Sequence, residues 1–393
     1  MATLGDYISI KHGYAFKGDG ITTEDNGVVL VTPGNFAIGG GFKEGKCKFF
    51  TDDYPSEFVL SPDDLIVTMT DLSKEMDTLG YSALIPETNR VYLHNQRIGL
   101  ISINRDDLDK HYLYWFMRTR NYQRTIAGGA SGTTVHHTSP GRICEVEVDF
   151  PVISTQKKIA DILDNIEEKI QNNNDINDNL LQQAQAVFTQ EFLNVEEIPD
   201  GWKESSLLGI ADYLNGLAMQ KFRPKDDEQG LPVLKIKELR QGACDASSEL
   251  CSPSIKPEYI VHDGDVIFSW SGSLLVDFWC GGTCGLNQHL FKVTSDTYDK
   301  WFYYAWTNHH LQKFVAIAAD MATTMGHIKR EELSKAVVLI PSQSDYDRIG
   351  GLLAPLYDLV IANRIENRKL AALRDELLPQ LMSGQLDVSE VDL

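Results

Sequence analysis

Between Ile159 and Val187 the residues at alternating steps of four and three are Ile159, Leu163, Ile166, Ile170, Asn173, Asn177, Leu180, Ala184 and Val187. A shift of 190 residues gives a second ladder: Ile349, Leu353, Leu356, Val360, Asn363, Asn367, Leu370, Arg374 and Leu377. This spacing over several heptads predicts a coiled-coil seam, in which a polar asparagine trades stability for register. Antiparallel packing about a shared centre sets Asn173 against Asn367 and Asn177 against Asn363, so that each buried amide finds another. At 1.5 Å per residue, a helix of nearly forty residues is a rod of roughly 60 Å. Ser154 and Ser342 are the expected N-caps. Pro355 predicts a bend or a late start of the second helix, and Pro379 with Ser383-Gly384 predicts its stop.

Ahead of each rod lie about 145 residues whose pattern is that of short strands between turns. In the first copy these are Gly27 to Pro33, Asp64 to Met69, Tyr92 to Ile103 and Arg142 to Phe150. The second copy answers with Leu231 to Ile236, Asp265 to Trp270, Leu286 to Val293 and Ala336 to Ile340. An aromatic helix intervenes in each, His111 to Tyr122 and Asp299 to Phe314, and its spacing favours core packing over base stacking. Asn194 to Trp202, containing Pro199-Asp200-Gly201, is the expected linker.

The chain therefore repeats itself. Asn95-Gln96 recurs as Asn287-Gln288, Thr133-Thr134 as Thr323-Thr324 and Pro151 as Pro341, with the offset falling from 201 at Asp64/Asp265 through 192 to 190. Early loops differ in length while the later part keeps register, which is the mark of one frame carrying two different surfaces. The expected fold is α+β: two tandem α/β domains separated and joined by two long helices packed as an antiparallel coiled coil, with internal pseudo-twofold symmetry. Expected boundaries are 1–150 for the first domain, 151–195 for the central helix, 196–341 for the second domain and 342–393 for the terminal helix and tail.

Composition adds one difficulty. Of 393 residues 42% are hydrophobic and 23% charged, as in a folded soluble protein, but the net charge is −20. Basic against acidic residues number 14 and 20 in 1–150, 3 and 7 in 151–195, 14 and 20 in 196–341, and 5 and 9 in 342–393. No segment is basic in sum, although a nucleic-acid binder gains most of its non-specific affinity by neutralising phosphates. A DNA-binding role requires its cations on one face, or charge borrowed from a partner. The six cysteines lack paired or zinc-like spacing, and no metal site is expected. No window approaches 18 apolar residues and Met1 to Ile10 has no signal-peptide pattern, so the expected location is cytoplasmic, away from membranes.

Two variable globules each followed by a long helix resemble the specificity subunits of type I restriction-modification enzymes. The resemblance runs the length of the chain and rests on an ordered set of segments: Pro151 to Leu163, Leu377 to Gly384, Ser131-Gly132-Thr133-Thr134, and Asp265 to Gly272. It implies two target recognition domains, each reading one half of a split site on double-stranded DNA, as in a dimeric reader. It also implies partners: methyltransferase subunits, two of them, and restriction/translocase subunits docked on the helices.

On that reading the DNA-facing candidates are polar, partly basic loops that follow strands. They are Lys11, Tyr14 and Lys17, matched by Gln220, Lys221, Arg223 and Lys225; then Thr68, Thr70, Ser73 and Lys74, matched by Ser269, Ser271 and Ser273; then Thr133, Thr134 and His136, matched by Thr323, Thr324 and Lys329. Lysine and arginine suit phosphates, while amides and hydroxyls suit base edges. The Asn-Gln pairs recur identically where two readers should differ, which favours a structural or phosphate-positioning role. No phosphate loop, dinucleotide fingerprint, nucleophile elbow or Asn-Pro-Pro-aromatic motif occurs, so no catalytic residue is expected. S-adenosylmethionine, ATP and Mg belong on this view to partner subunits. Two alternatives stay open: a partner-binding scaffold of the same architecture, favoured by the acidic balance, and a stand-alone regulator.

Overall fold

The computed structural model describes every residue except Met1, Lys46, Leu72, Lys74, Glu75, Thr133, Thr134, 321–327, Ser389, Glu390, Asp392 and Leu393, and the side chain of Asp320. It divides into two compact units, one of Met1–Glu167 with Leu373–Leu393 and one of Glu168–Ala372. The long helices are thus shared out between the units.

In the first unit a four-stranded antiparallel sheet runs in the order Ile8–His12, Ile98–Ile103, Leu65–Thr68, Ser82–Leu84. The second unit has the same order in Asp212–Asn215, Leu290–Thr294, Val266–Ser269, Leu275–Phe278. A second sheet in each is built around one parallel pair, Val28–Val31 with Val91–His94 and Leu231–Leu234 with Cys284–Leu286. A small antiparallel pair closes each unit: Ala2–Thr3 with Glu147–Val148, and Lys203–Ser206 with Val337–Ile340. The internal repeat is therefore a repeat of strand order as well as of sequence.

Local chemistry moves several expected boundaries. The aromatic helix of the first copy breaks into Lys110–Phe116 and Arg120–Gly128, because Thr119 accepts from the Tyr122 backbone N–H at 3.3 Å and starts a new helix. Its counterpart Lys300–Asp320 is continuous. The expected strand from Arg142 starts instead as a short helix, Pro140–Cys144, with Ser139 as cap and Pro140 in the first turn. The central helix spans Ile153–Phe188, with Ser154 inside it rather than capping it. Ser342 does cap Gln343–Met382, accepting from the Asp345 N–H at 3.3 Å. Pro355 neither starts nor ends that helix, and Pro379 lies within it; the stop is Gly384, with φ +70°.

All the seam positions are buried or half-buried, and they divide by neighbourhood. Ile159 and Leu163 join Leu4, Ile8, Tyr112 and Trp115 in the first unit's core, together with Leu381 and Val388 from the far end of the chain. Ile349 and Leu353 join Phe188, Phe192, Phe302 and Trp306 in the second. Leu356 packs against this second core as well. At the centre Asn173 Nδ2 donates to Asn367 Oδ1 at 2.8 Å, and Asn363 Nδ2 to Asn177 Oδ1 at 2.9 Å. Arg374, which interrupts the apolar ladder, is held by Glu167 at 2.6 Å. The terminal helix carries a second buried face, Tyr357 and Ile361, extended by Arg364 and Arg368, which pair with Asp277 and Asp263.

Candidate nucleic-acid interface

The two Asn-Gln pairs form the same turn in both units. Gly13 and Gly216 lie so close to it that a Cβ on either would sit 2.2 Å from the Asn95 or Asn287 carbonyl oxygen. The next residue, Tyr14 or Leu217, bridges to that asparagine, and its carbonyl accepts from the N–H of Gln96 or Gln288 at 2.9 Å. Each asparagine side chain accepts from the N–H two residues on, Arg97 at 3.1 Å and His289 at 3.2 Å. The asparagine side-chain oxygens that matched so well in sequence are thus taken up in shaping the turn, while Gln96 stays exposed. What differs is the residue after them: Arg97 is exposed, whereas His289 is half-buried with Nδ1 3.1 Å from Ser271 Oγ. Sequence inspection passed over this position; the signal was an unequal residue directly after an identical pair.

The candidates on the Leu65–Thr68 and Val266–Ser269 strands turn inward. Thr68 Oγ1 donates to the Thr70 carbonyl at 2.9 Å and Ser269 Oγ to the Ser271 carbonyl at 3.2 Å. Thr70 Oγ1 lies 3.1 Å from His137 Nδ1. Thr68, Thr70, Ser269 and Ser271 are all buried, which corrects their placement among solvent-facing readers. For Thr68 and Ser269 the physical reason is that both strands are buried on both faces, so the period-two rule has no polar side to offer; Thr70 lies in the separate Thr70–Asp71 strand paired with His136–His137.

Ser73 is half-buried and its hydroxyl accepts from the Asp77 N–H at 3.0 Å. The Asp71 carboxylate accepts from the Ser73 and Thr78 backbone N–H groups, each at 2.6 Å. Burial raises the Asp71 pKa, but hydrogen bonds from Thr78 and Ser73 outweigh it and hold the carboxyl below the usual range.

Exposed candidates lie in both units. Lys11 lies over the Phe58 ring at 4.7 Å, with Tyr14 packed edge-on to Phe16 beside it and Lys17 exposed further along. In the second unit Gln220, Lys221, Arg223 and Lys225 are exposed, Arg223 being paired with Glu249 at 2.8 Å. Ser273 and Lys329 are exposed, and His136 is half-buried in a short strand paired with Thr70–Asp71. Lys74, Thr133, Thr134, Thr323 and Thr324 lie outside the described residues.

Among the described residues no group of three or more histidine, cysteine or acidic side chains could hold a metal ion, and no helix is long and apolar enough to cross a membrane. The described cysteines are unpaired, and burial pushes the Cys280 thiol up to about 11.

Comparison with known proteins agrees with this duplicated frame. The type I restriction modification DNA specificity domain matches residues 1–182 and again 199–373. The MjaIX specificity subunit of Methanocaldococcus jannaschii is 24% identical over 311 residues, covering 74% of this chain and 72% of that protein. The EcoBI specificity subunit of Escherichia coli is 25% identical over 203 residues, covering 51% of this chain and 40% of that protein. The crystal structure of a type I S subunit from M. genitalium shares the fold, with a TM-score of 0.59 at 15% identity over 96% of this chain and 94% of that one. The chain belongs to the type I restriction-modification specificity family. It is a specificity subunit with two DNA specificity domains.

Proposed function

We propose that each domain reads one half of a split, asymmetric site on double-stranded DNA. The carrying observation is the pair of turns at Asn95-Gln96 and Asn287-Gln288, matched hydrogen bond for hydrogen bond, with different exposed residues around them. One frame holding unlike surfaces suits two readers of unlike half-sites. Lys11, Tyr14, Lys17 and His136 serve the first half-site; Gln220, Lys221, Lys225, Ser273 and Lys329 serve the second. The long helices dock two methyltransferase subunits and the restriction/translocase subunits. The chain itself contributes no reacting group, and S-adenosylmethionine, ATP and Mg act in those partners. A cytoplasmic location fits this role.

The net charge of −20 favours a second reading, a scaffold of the same architecture that no longer grips DNA. Mapping DNA methylation in cells that co-express this chain with its methyltransferase, before and after exchange of residues 1–150, separates the two. The reader gives a split motif of which one half changes on exchange. A stable complex that leaves no motif supports the scaffold.

A further inference from the structure

Residues 110–144 form the longest stretch of the chain without a carboxylate, holding five basic residues and no acidic one in a protein of net charge −20. The fold gathers this charge. Arg120 and Arg124 stand four apart on the Arg120–Gly128 helix, and both are exposed. Arg142, also exposed, reaches back to the Gly129 carbonyl at the end of the same helix. Buried Arg118 lies underneath, 4.3 Å from the Trp115 ring. Burial raises the Tyr81 pKa while Arg120, Arg118 and Arg124 all pull it down, so these guanidinium groups share one neighbourhood.

The matching positions of the second domain, 190 residues on, carry none of this. Arg120 becomes His310, buried and 2.8 Å from the Val337 carbonyl; Arg124 becomes buried Phe314; Arg142 becomes Glu332, paired with Lys335. The equivalent window, 300–334, has four basic and three acidic residues. Arg120 in the first turn of its helix is also unfavourable, since the positive end of the helix dipole repels a cation. Among the described residues no ion pair holds Arg120 in that place.

We propose that Arg120, Arg124 and Arg142 form a phosphate grip on the DNA backbone, present in the first domain and missing from the second. The proposal rests on the DNA-reading function above and adds a division of labour: the first domain supplies most of the sequence-independent, salt-dependent hold. DNA is the fitting occupant because repulsion between this acidic chain and a polyanion has to be offset locally, and the helix ends just before Ser131, which bridges to His137 beside the candidate residue His136.

The test uses the full chain in complex with its methyltransferase, binding non-cognate duplex over a salt series. Arg120→Gln with Arg124→Gln should lower the steepness of log K against log salt by about 1.8, at about 0.9 per lost phosphate contact. Adding Arg142→Gln should take the fall to about 2.7. The double variant keeps the Arg142 bond to Gly129, so it reports on the grip even where the triple variant folds poorly. Lys313→Gln, an exposed cation on the matching helix, should leave the slope unchanged. An unchanged slope in the double variant overturns the grip, as does an equal fall with Lys313→Gln or dissociation of the methyltransferase in place of a change in DNA binding. Failure of the underlying reading looks different: the wild-type complex then leaves no split methylation motif.

Discussion

The side-chain amide of Asn173 donates to that of Asn367 across 2.8 Å, and Asn367 in turn donates to the Ile170 carbonyl and to Asn174 Oδ1. Asn173 also donates to Glu366 Oε2 at 2.7 Å. A polar layer so connected fixes register at some cost in stability. Asn173→Leu alone should destabilise by about 1–3 kcal/mol, because it strands a partner amide. Asn173→Leu with Asn367→Leu should recover most of that loss while admitting alternative registers. A thermal double-mutant cycle, with cross-linking to read register, decides it. Additive losses would falsify the pairing.

The guanidinium of Arg368 meets both oxygens of Asp263 at 2.7 Å. The hydrogen bond from Arg368 holds the Asp263 pKa below its ordinary 3.8. A depressed carboxylate stabilises the fold above its unfolded pKa and loses that contribution as pH falls through its folded pKa. Arg368→Ala should therefore cost about 1.5 kcal/mol near neutrality, the lower end for charged hydrogen bonds because both groups are partly solvated. The deficit should shrink as pH drops below 3.8. Melting curves across this range check it, and a deficit independent of pH would mean that packing, not the ion pair, is at stake.

Gly13 and Gly216 approach backbone atoms, which cannot move aside as a side chain would. Gly13→Ala should cost about 3 kcal/mol, the top of the range for overpacking. It should blur only the half-site read by the first domain, and Gly216→Ala only the other. Methylation mapping on each variant shows which half is lost; loss of both from one substitution would break the link between turn and half-site.

Thr68→Val removes the partner of a buried carbonyl and should destabilise by about 1–3 kcal/mol with no change in the methylated sequence. Ser273→Ala, on an exposed loop, should do the reverse. An altered motif from Thr68→Val at undiminished stability would return that residue to the DNA surface.

The rod and its asparagine layers were legible because a 3-4 spacing leaves little choice of face, and because Asn173/Asn367 and Asn177/Asn363 fall symmetrically about one centre. Burial of Thr68 and Ser269 was not legible, since alternation says nothing about a strand covered on both sides. The helix break was written in Thr119, a capping residue that the surrounding aromatic pattern disguised. Charge was misjudged by averaging: 14 basic against 20 acidic over residues 1–150 conceals the acid-free run from 110 to 144. Only with Arg120, Arg124 and Arg142 placed around one helix does that run become a surface.

Leu381 and Val388 sit in the same core as Leu4 and Ile8. Residues 168–372, a whole second unit, are translated between the two parts of the first. During synthesis the first domain is therefore expected to keep part of its apolar interior uncovered while the second forms, so that it is completed only after the domain that follows it in sequence. A truncation in the last turns of the terminal helix should therefore be felt first at the opposite end of the sequence.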